Sequence, residues 1–259
     1  MIMKTHILNR LLPSSVRTFL RQCAVAAIPS MRHLDMPKRL RQLKRLGINP
    51  KVIYDVGAAQ GEWTRLAASI WPEARIIGFE PNRANVSHLD QTRRDVPQFE
   101  YLQCFLGTKQ QVVQYDYQGN QTSLYDSRAH QEPKETAEMF VLDDLIAQKR
   151  VPLPNFIKMD VQGYELEVLR GGLNALETSE AVLLEVNFYR VHPEMPTVDE
   201  VIEFMKAHRF SWFDVMGILR RPGDDLLGYM DLLFVATAHR LRQIDTPDWW
   251  TDRLPIYKL

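Results

Sequence analysis

Cysteine is nearly missing from this sequence. Cys23 and Cys104 are the only two in 259 residues, too few for a disulfide framework. Two isolated thiols fit a reducing compartment and structural rather than catalytic roles. Long apolar runs are missing as well: none approaches the roughly 20 residues that a membrane span requires. Net charge is also absent, with 32 Lys and Arg against 32 Asp and Glu. That zero conceals an asymmetry. Residues 1–51 hold eleven basic side chains and one acid, Asp35, so this segment carries +10 and the remainder −10. The basic segment lacks interleaved aromatics and the rest of the chain is acidic, which argues against a nucleic-acid partner.

Hydrophobic content of 45% with 25% charge describes an ordinary soluble globular chain, large enough for one domain with appendages. The basic segment has apolar residues at helical spacing: Leu8, Leu11, Leu12, Val16, Phe19 and Leu20, then Leu40, Leu43 and Leu46. Pro29 and Pro37 divide it. One reading of residues 1–49 is a basic helical arm lying on an anionic membrane surface. The other, which is favoured, is a pair of surface helices packed on the domain edge with solvated arginines. A secretory signal is a poor fit, because the apolar stretch Cys23 to Ile28 is short and Arg21 sits against it. The expected location is cytoplasmic, with peripheral contact at the inner membrane surface as the second reading.

The chemistry starts at Val52 to Thr64, VIYDVGAAQGEWT. An apolar run ends in an acid, a turn follows with Gly57 and Gly61, and then a helix can open. A second apolar run, Ile76 to Glu80, also ends in an acid. A strand, glycine turn, helix, strand and acid in this order form the unit that holds an adenosine-type cofactor in a doubly wound sheet. The dinucleotide pattern G-x-G-x-x-G is missing; the spacing here is G-x-x-x-G. That suits a cofactor with no pyrophosphate to cradle, and S-adenosylmethionine is the obvious one. Asp55 is expected to face its cationic end and Glu80 its ribose.

Further strands are expected at Phe99–Leu106, Met139–Leu142, Phe156–Met159, Ala181–Val186, Phe210–Leu219 and Leu226–Ala236, with helices at 60–70, 82–94, 145–149, 164–170 and 197–208. Residues 111–125 read as a small hairpin or an extended excursion lying over the strand ends, where Asn120, Thr122, Ser123 and Tyr125 could contact a polar substrate. Asp126 to Lys134 reads as a polar loop. The two C-terminal strands, joined by a turn at 221–225, read as an antiparallel pair closing the sheet. The tail, with Trp249, Trp250 and Tyr257, is expected to pack on the body or on a partner.

Asn155 to Gly172, NFIKMDVQGYELEVLRGG, is the second informative stretch. Asp160 stands at the end of a buried-type strand, and Gly163 turns the chain into a helix. Ligands of open α/β sheets sit beyond the carboxyl ends of the strands. Asp55, Glu80, Asp160 and Glu185 all stand at or near such ends. Crowded like charges raise one another's pKa, which suits a carboxylate that must take a proton. A metal held by Asp160, Glu185 and His192 is the other way to relieve the crowding.

In order and spacing, DVGAAQGEWT, FEPN, FVLDDL, FIKMDVQGYELEVLRGG and LLEVN resemble the FkbM family of S-adenosylmethionine-dependent methyltransferases, over roughly residues 50–236. Two departures are Ala59-Gln60, where the family commonly has Asn after Gly-Ala, and Gln162, where it commonly has Glu. The resemblance implies an α/β Rossmann-like class I methyltransferase sheet, mostly parallel with an antiparallel C-terminal hairpin strand and helices on both faces. The expected domains are a basic helical arm at 1–49, a methyltransferase domain at 50–238 with a hairpin or loop insertion at about 108–135, and a tail at 239–259 packed on the domain. The implied activity is O-methyl transfer to a sugar, glycolipid or natural product, so the expected partner is a small-molecule or glycan acceptor. Cofactor-binding candidates are Asp55, Gly57, Ala58, Gly61, Glu80, Asn82 and Phe105. Catalytic candidates are Asp160, then Glu185 and His192; no metal is assigned. Lys158 is expected to serve structure or pair with an acid. Tyr164 and Tyr189 could position substrate. The alternatives are a nucleotide-sugar or NAD enzyme, metal-assisted methyl transfer, and a silent, membrane-associated nucleotide-binding module.

Overall fold

The computed structural model describes residues 35–118, 121–123, 135–221 and 223–242. The first part of the basic segment, Asn120, Tyr125, the 126–134 loop and the Trp249–Trp250 tail lie outside the described residues. Helix α1 (Met36–Arg45) leads into β1 (Val52–Val56), α2 (Glu62–Ile70), β2 (Arg75–Phe79), a 3₁₀ turn (Arg83–Asn85), α3 (Val86–Asp95) and β3 (Phe99–Leu102). Then come β4 (Phe105–Gly107), β5 (Gln111–Gln118), β6 (Gln121–Ser123), β7 (Glu135–Val141), α4 (Leu142–Ala147), β8 (Phe156–Met159), α5 (Glu165–Arg170) and α6 (Leu173–Thr178). The chain continues through β9 (Ala181–Asn187), α7 (Val198–Ala207), β10 (Phe210–Arg220) and β11 (Leu227–Ala236).

Seven strands form one sheet in the order β10-β11-β9-β8-β1-β2-β3. Five neighbouring strands, β9, β8, β1, β2 and β3, run parallel; β11 runs antiparallel to both β9 and β10 and is the reversed strand of this sheet. The central strands are continuous apolar runs because both faces are covered. Successive residues point to opposite faces, so each run feeds two cores. Ile53, Ile76 and Phe156 join one apolar cluster with Leu40 and Leu43 of α1, Ala67 and Ile70 of α2 and Leu89 of α3. Tyr54, Ile77 and Ile157 join the other, with Leu145 of α4, Leu169 of α5, Leu176 of α6 and Met205 of α7. The lower half of the basic segment is therefore core-bearing: α1 buries its leucines and keeps its arginines outward, and Arg39 pairs with Asp214 of β10.

A second sheet, β4-β7-β5-β6, contains the expected hairpin. The expected single strand 99–106 is two strands. Phe99–Leu102 stays on β2, whereas Phe105–Gly107 leaves to pair with Met139–Val141 of β7. Cys104 at the break is buried in the core. No helix among the described residues is long and apolar enough to cross a membrane.

Candidate active site

The turn after β1 is stitched to the end of β2. The N–H groups of Gly57 and Ala58 donate to the Phe79 carbonyl at 2.9 and 3.2 Å. Gly57 has φ +76°, and a Cβ there would lie 1.9 Å from the Asp160 carbonyl oxygen. The close approach that demands glycine is thus made by the loop after β8. Gly61, φ +78°, is held open by Thr92 of α3 in the same way. Neither glycine is dictated by a phosphate.

Glu80 lies one residue beyond β2 and is 4% exposed. Its carboxylate accepts from the Ala59 and Asn82 N–H groups, both at 2.8 Å. Burial pushes its pKa up, and those two backbone donors oppose the shift. Asn82 is buried, and its side-chain oxygen caps the 3₁₀ turn through the Ala84 N–H at 2.9 Å.

Asp55 does not face the cleft. It is inside β1, 0% exposed, and accepts from the Thr64 hydroxyl at 2.7 Å. Its partner across the sheet is Lys158 of β8, whose Nζ stands 3.1 Å from Asp55 Oδ1 and donates to the Gly57 carbonyl at 3.0 Å. Burial works against the lysine charge, yet Asp55, Asp160 and Glu185 together hold its pKa above the ordinary lysine value. The pair pins the glycine turn to the centre of the sheet.

Asp160 lies one residue beyond β8, and its N–H donates to the Val56 carbonyl at 3.0 Å. Gln162, in the left-handed region at φ +55°, donates its amide to Asp160 Oδ1 at 2.8 Å and reaches Glu185 Oε1 at 3.5 Å. Glu165 is buried, accepts from the Val161 and Gly163 N–H groups, and is pushed up to about 7, chiefly by burial. Glu185 is pushed up to about 9, first by burial, then by Asp160, Asp231 and Glu165.

Several of these groups line an open cleft over the ends of β1, β2, β8 and β9. Phe79, Pro81, Cys104, Phe105 and Leu106 form its apolar end, and Asp160, Gln162, Tyr164, Glu185 and Tyr229 the polar end; Glu80 and Gly57 also line it. Burial pushes the Cys104 thiol up to about 12, which leaves it a packing group. Gly57, Glu80, Phe105, Asp160 and Glu185 are therefore brought together. Asp55, Ala58, Gly61 and Asn82 shape the turns behind the lining. His192 is not at the cleft: after β9 the chain closes on α7, with Arg190 bound to the Met195 carbonyl at 2.7 Å and to Glu200 at 2.6 Å. Its ring accepts instead from the Glu194 N–H at 3.4 Å. Among the described residues no three His, Cys, Asp or Glu side chains are grouped to hold a metal ion. The sequence reading passed over Glu165 and Tyr229; a Glu two residues after a turn glycine signals the first, and nothing local signals the second.

An adenosyl cofactor with a cationic end fits this lining. The apolar end suits a flat base, the fixed Glu80 carboxylate suits a ribose diol, and the acidic end suits a cation. Strand order, the single reversed strand and the cleft at the parallel strand ends define a Rossmann-like methyltransferase of the class that uses S-adenosylmethionine. Residues 55–211 match the methyltransferase FkbM domain, more than half of the sequence, and the chain belongs to that family. The hexuronic acid methyltransferase AglP of Haloferax volcanii is 26% identical over 137 residues, 52% of this chain and 56% of that protein. The chain thus spans about half the length of the curated relative it matches. The solved FkbM methyltransferase of Methylobacillus flagellatus KT is 19% identical with a TM-score of 0.47, covering 73% of this chain and 44% of that one. The magnesium protoporphyrin IX methyltransferase of Synechocystis PCC 6803 is 11% identical with a TM-score of 0.45, covering 85% and 81%.

A pH dependence follows from Glu185. Its pKa rises from the ordinary 4.5 to about 9 in the fold. Between those values the unfolded chain has released this proton and the native chain keeps it, so the group's contribution to stability declines as pH rises through that window. Glu185→Gln should flatten the fall of the thermal midpoint between pH 5 and 9. Parallel slopes for wild type and variant would show that Glu185 ionises as it does in water.

Proposed function

We propose that this protein transfers a methyl group from S-adenosylmethionine to a hydroxyl of a sugar, glycolipid or natural-product acceptor. Residues 50–238 are the working unit, with the segment at about 108–135 as an insertion over the strand ends. When bound, the cofactor supplies a methyl group activated by a sulfonium. A neutral alcohol is a poor nucleophile, so a positioned base must take its proton as the new bond forms. Asp160 has that role. The supporting observation is the environment of its neighbour: Glu185, pushed up to about 9, stays protonated at neutral pH and can donate a hydrogen bond. The carboxyl group facing the acceptor as base is then Asp160, held in place by Gln162. Glu80 and the apolar walls bind and orient the adenosyl part, and alignment of the reacting atoms supplies much of the rate. A sugar acceptor draws support from the relative that acts on hexuronic acid.

Calorimetric titration with S-adenosylmethionine and, separately, with NAD tests the binding half. S-adenosylmethionine should bind and NAD should not. Glu80→Ala removes a charged acceptor and should weaken the binding about tenfold to a hundredfold. Binding of NAD alone would overturn the reading.

A further inference from the structure

Among the described residues, no basic side chain lines the cleft. The cleft walls contribute three acidic side chains, Glu80 on the cofactor side and Asp160 and Glu185 at the acceptor end. The basic group next to them, Lys158, is 9% exposed, and its ammonium is committed to Asp55 at 3.1 Å and to the Gly57 carbonyl at 3.0 Å. The arginines of the neighbouring loops are held by their own acceptors: Arg190 by Glu200 at 2.6 Å, Arg221 by Asp224 at 2.8 Å, and Arg220 by the Asp225 carbonyl at 2.6 Å. Those loops sit at the cleft end of the sheet, where Asn187 of β9 registers with Tyr229 of β11.

The polar and aromatic groups that line this end are an amide, Gln162, two aromatic side chains, Tyr164 and Tyr229, and the acidic groups Asp160 and Glu185. Carboxylates accept from hydroxyls, an amide both accepts from and donates to them, and aromatic faces take the C–H side of a sugar ring. Like charges brought into a partly buried site repel strongly, and this site already relieves its own crowding by keeping Glu185 protonated. We infer that the moiety entering this cleft is a polyol without negative charge, a neutral or amino-bearing sugar rather than a uronic acid or a sugar phosphate. The inference rests on the sugar-acceptor reading above and narrows it.

The test uses the full chain, labelled S-adenosylmethionine, and matched methyl glycosides of glucose, glucosamine and glucuronic acid, at pH 7 and low salt. Transfer to the neutral and amino members should exceed transfer to the uronide by about tenfold or more, as expected for one extra like charge within a few ångströms at intermediate dielectric. Raising the salt should narrow the gap. Equal or greater transfer to the uronide overturns the inference and leaves sugar methylation standing. Transfer to none of them, by protein that binds the cofactor in the titration above, removes the sugar-acceptor reading and the inference with it.

Discussion

Asp160→Asn should lower methyl transfer about 10²- to 10⁴-fold, the range typical for loss of a general base, while S-adenosylmethionine still binds. Asn has nearly the same shape. The backbone N–H at 160 keeps its bond to the Val56 carbonyl, and the side-chain oxygen can still accept from Gln162. What is lost is the capacity to take a proton. The expected pattern is a fall in kcat with cofactor affinity unchanged in the same preparation. A second readout separates chemistry from folding. Asp160 is one of the charges that raise Glu185, so its removal should lower the pH at which Glu185 ionises. An Asp160→Asn variant with full turnover would transfer the base role elsewhere, with Glu185 the next group in reach.

Lys158→Met should cost about 3–5 kcal/mol of stability, the range for stripping one partner from a buried ion pair. Asp55 is 0% exposed and registers directly opposite Lys158 in the sheet, so it would be left as a buried charge with only the Thr64 hydroxyl at 2.7 Å. The double change Asp55→Asn with Lys158→Met should recover most of the loss, because no uncompensated charge remains. Denaturant midpoints for the two variants and wild type measure both effects. Cofactor binding should weaken in the single variant as well, since Lys158 also holds the Gly57 carbonyl of the turn. A loss below about 1 kcal/mol would mean that the pair behaves as a solvated surface bridge.

The strands that carry the site were legible because they are buried on both faces. Phe156–Met159 and Ala181–Asn187 are short apolar runs bounded by breakers, and such runs declare themselves without long-range information. Edge strands do not. Phe99–Phe105 looks continuous, yet only four residues pair with β2 before the chain leaves for β7, more than thirty residues further on. The partner decides the break, and the partner is not local. The glycines illustrate the same division. Their positive φ suits a turn that any reader would suspect, but the atoms that exclude a Cβ, the Asp160 carbonyl and the Thr92 side chain, come from distant segments.

Site residues divide by position relative to the strand end. Glu80 and Asp160 each stand one residue beyond their strands and line the cleft. Asp55 stands one residue before the end of β1, so the alternation of side chains turns it inward against Lys158. An acid that looks equivalent in the sequence thus becomes a structural anchor. His192 was drawn toward the site by its nearness to Glu185 in sequence, and the loop that closes on α7 holds it elsewhere.

By itself the sequence determined the class of fold, the family, the adenosyl cofactor and the order of the strands that carry acids, because local patterning and turn chemistry encode those. Tertiary structure alone decided which acids reach the cleft, which one keeps a proton, and that no described basic side chain lines the cleft with them. Those depend on strand register, burial and through-space charge between residues as far apart as Asp55 and Lys158 or Glu185 and Asp231.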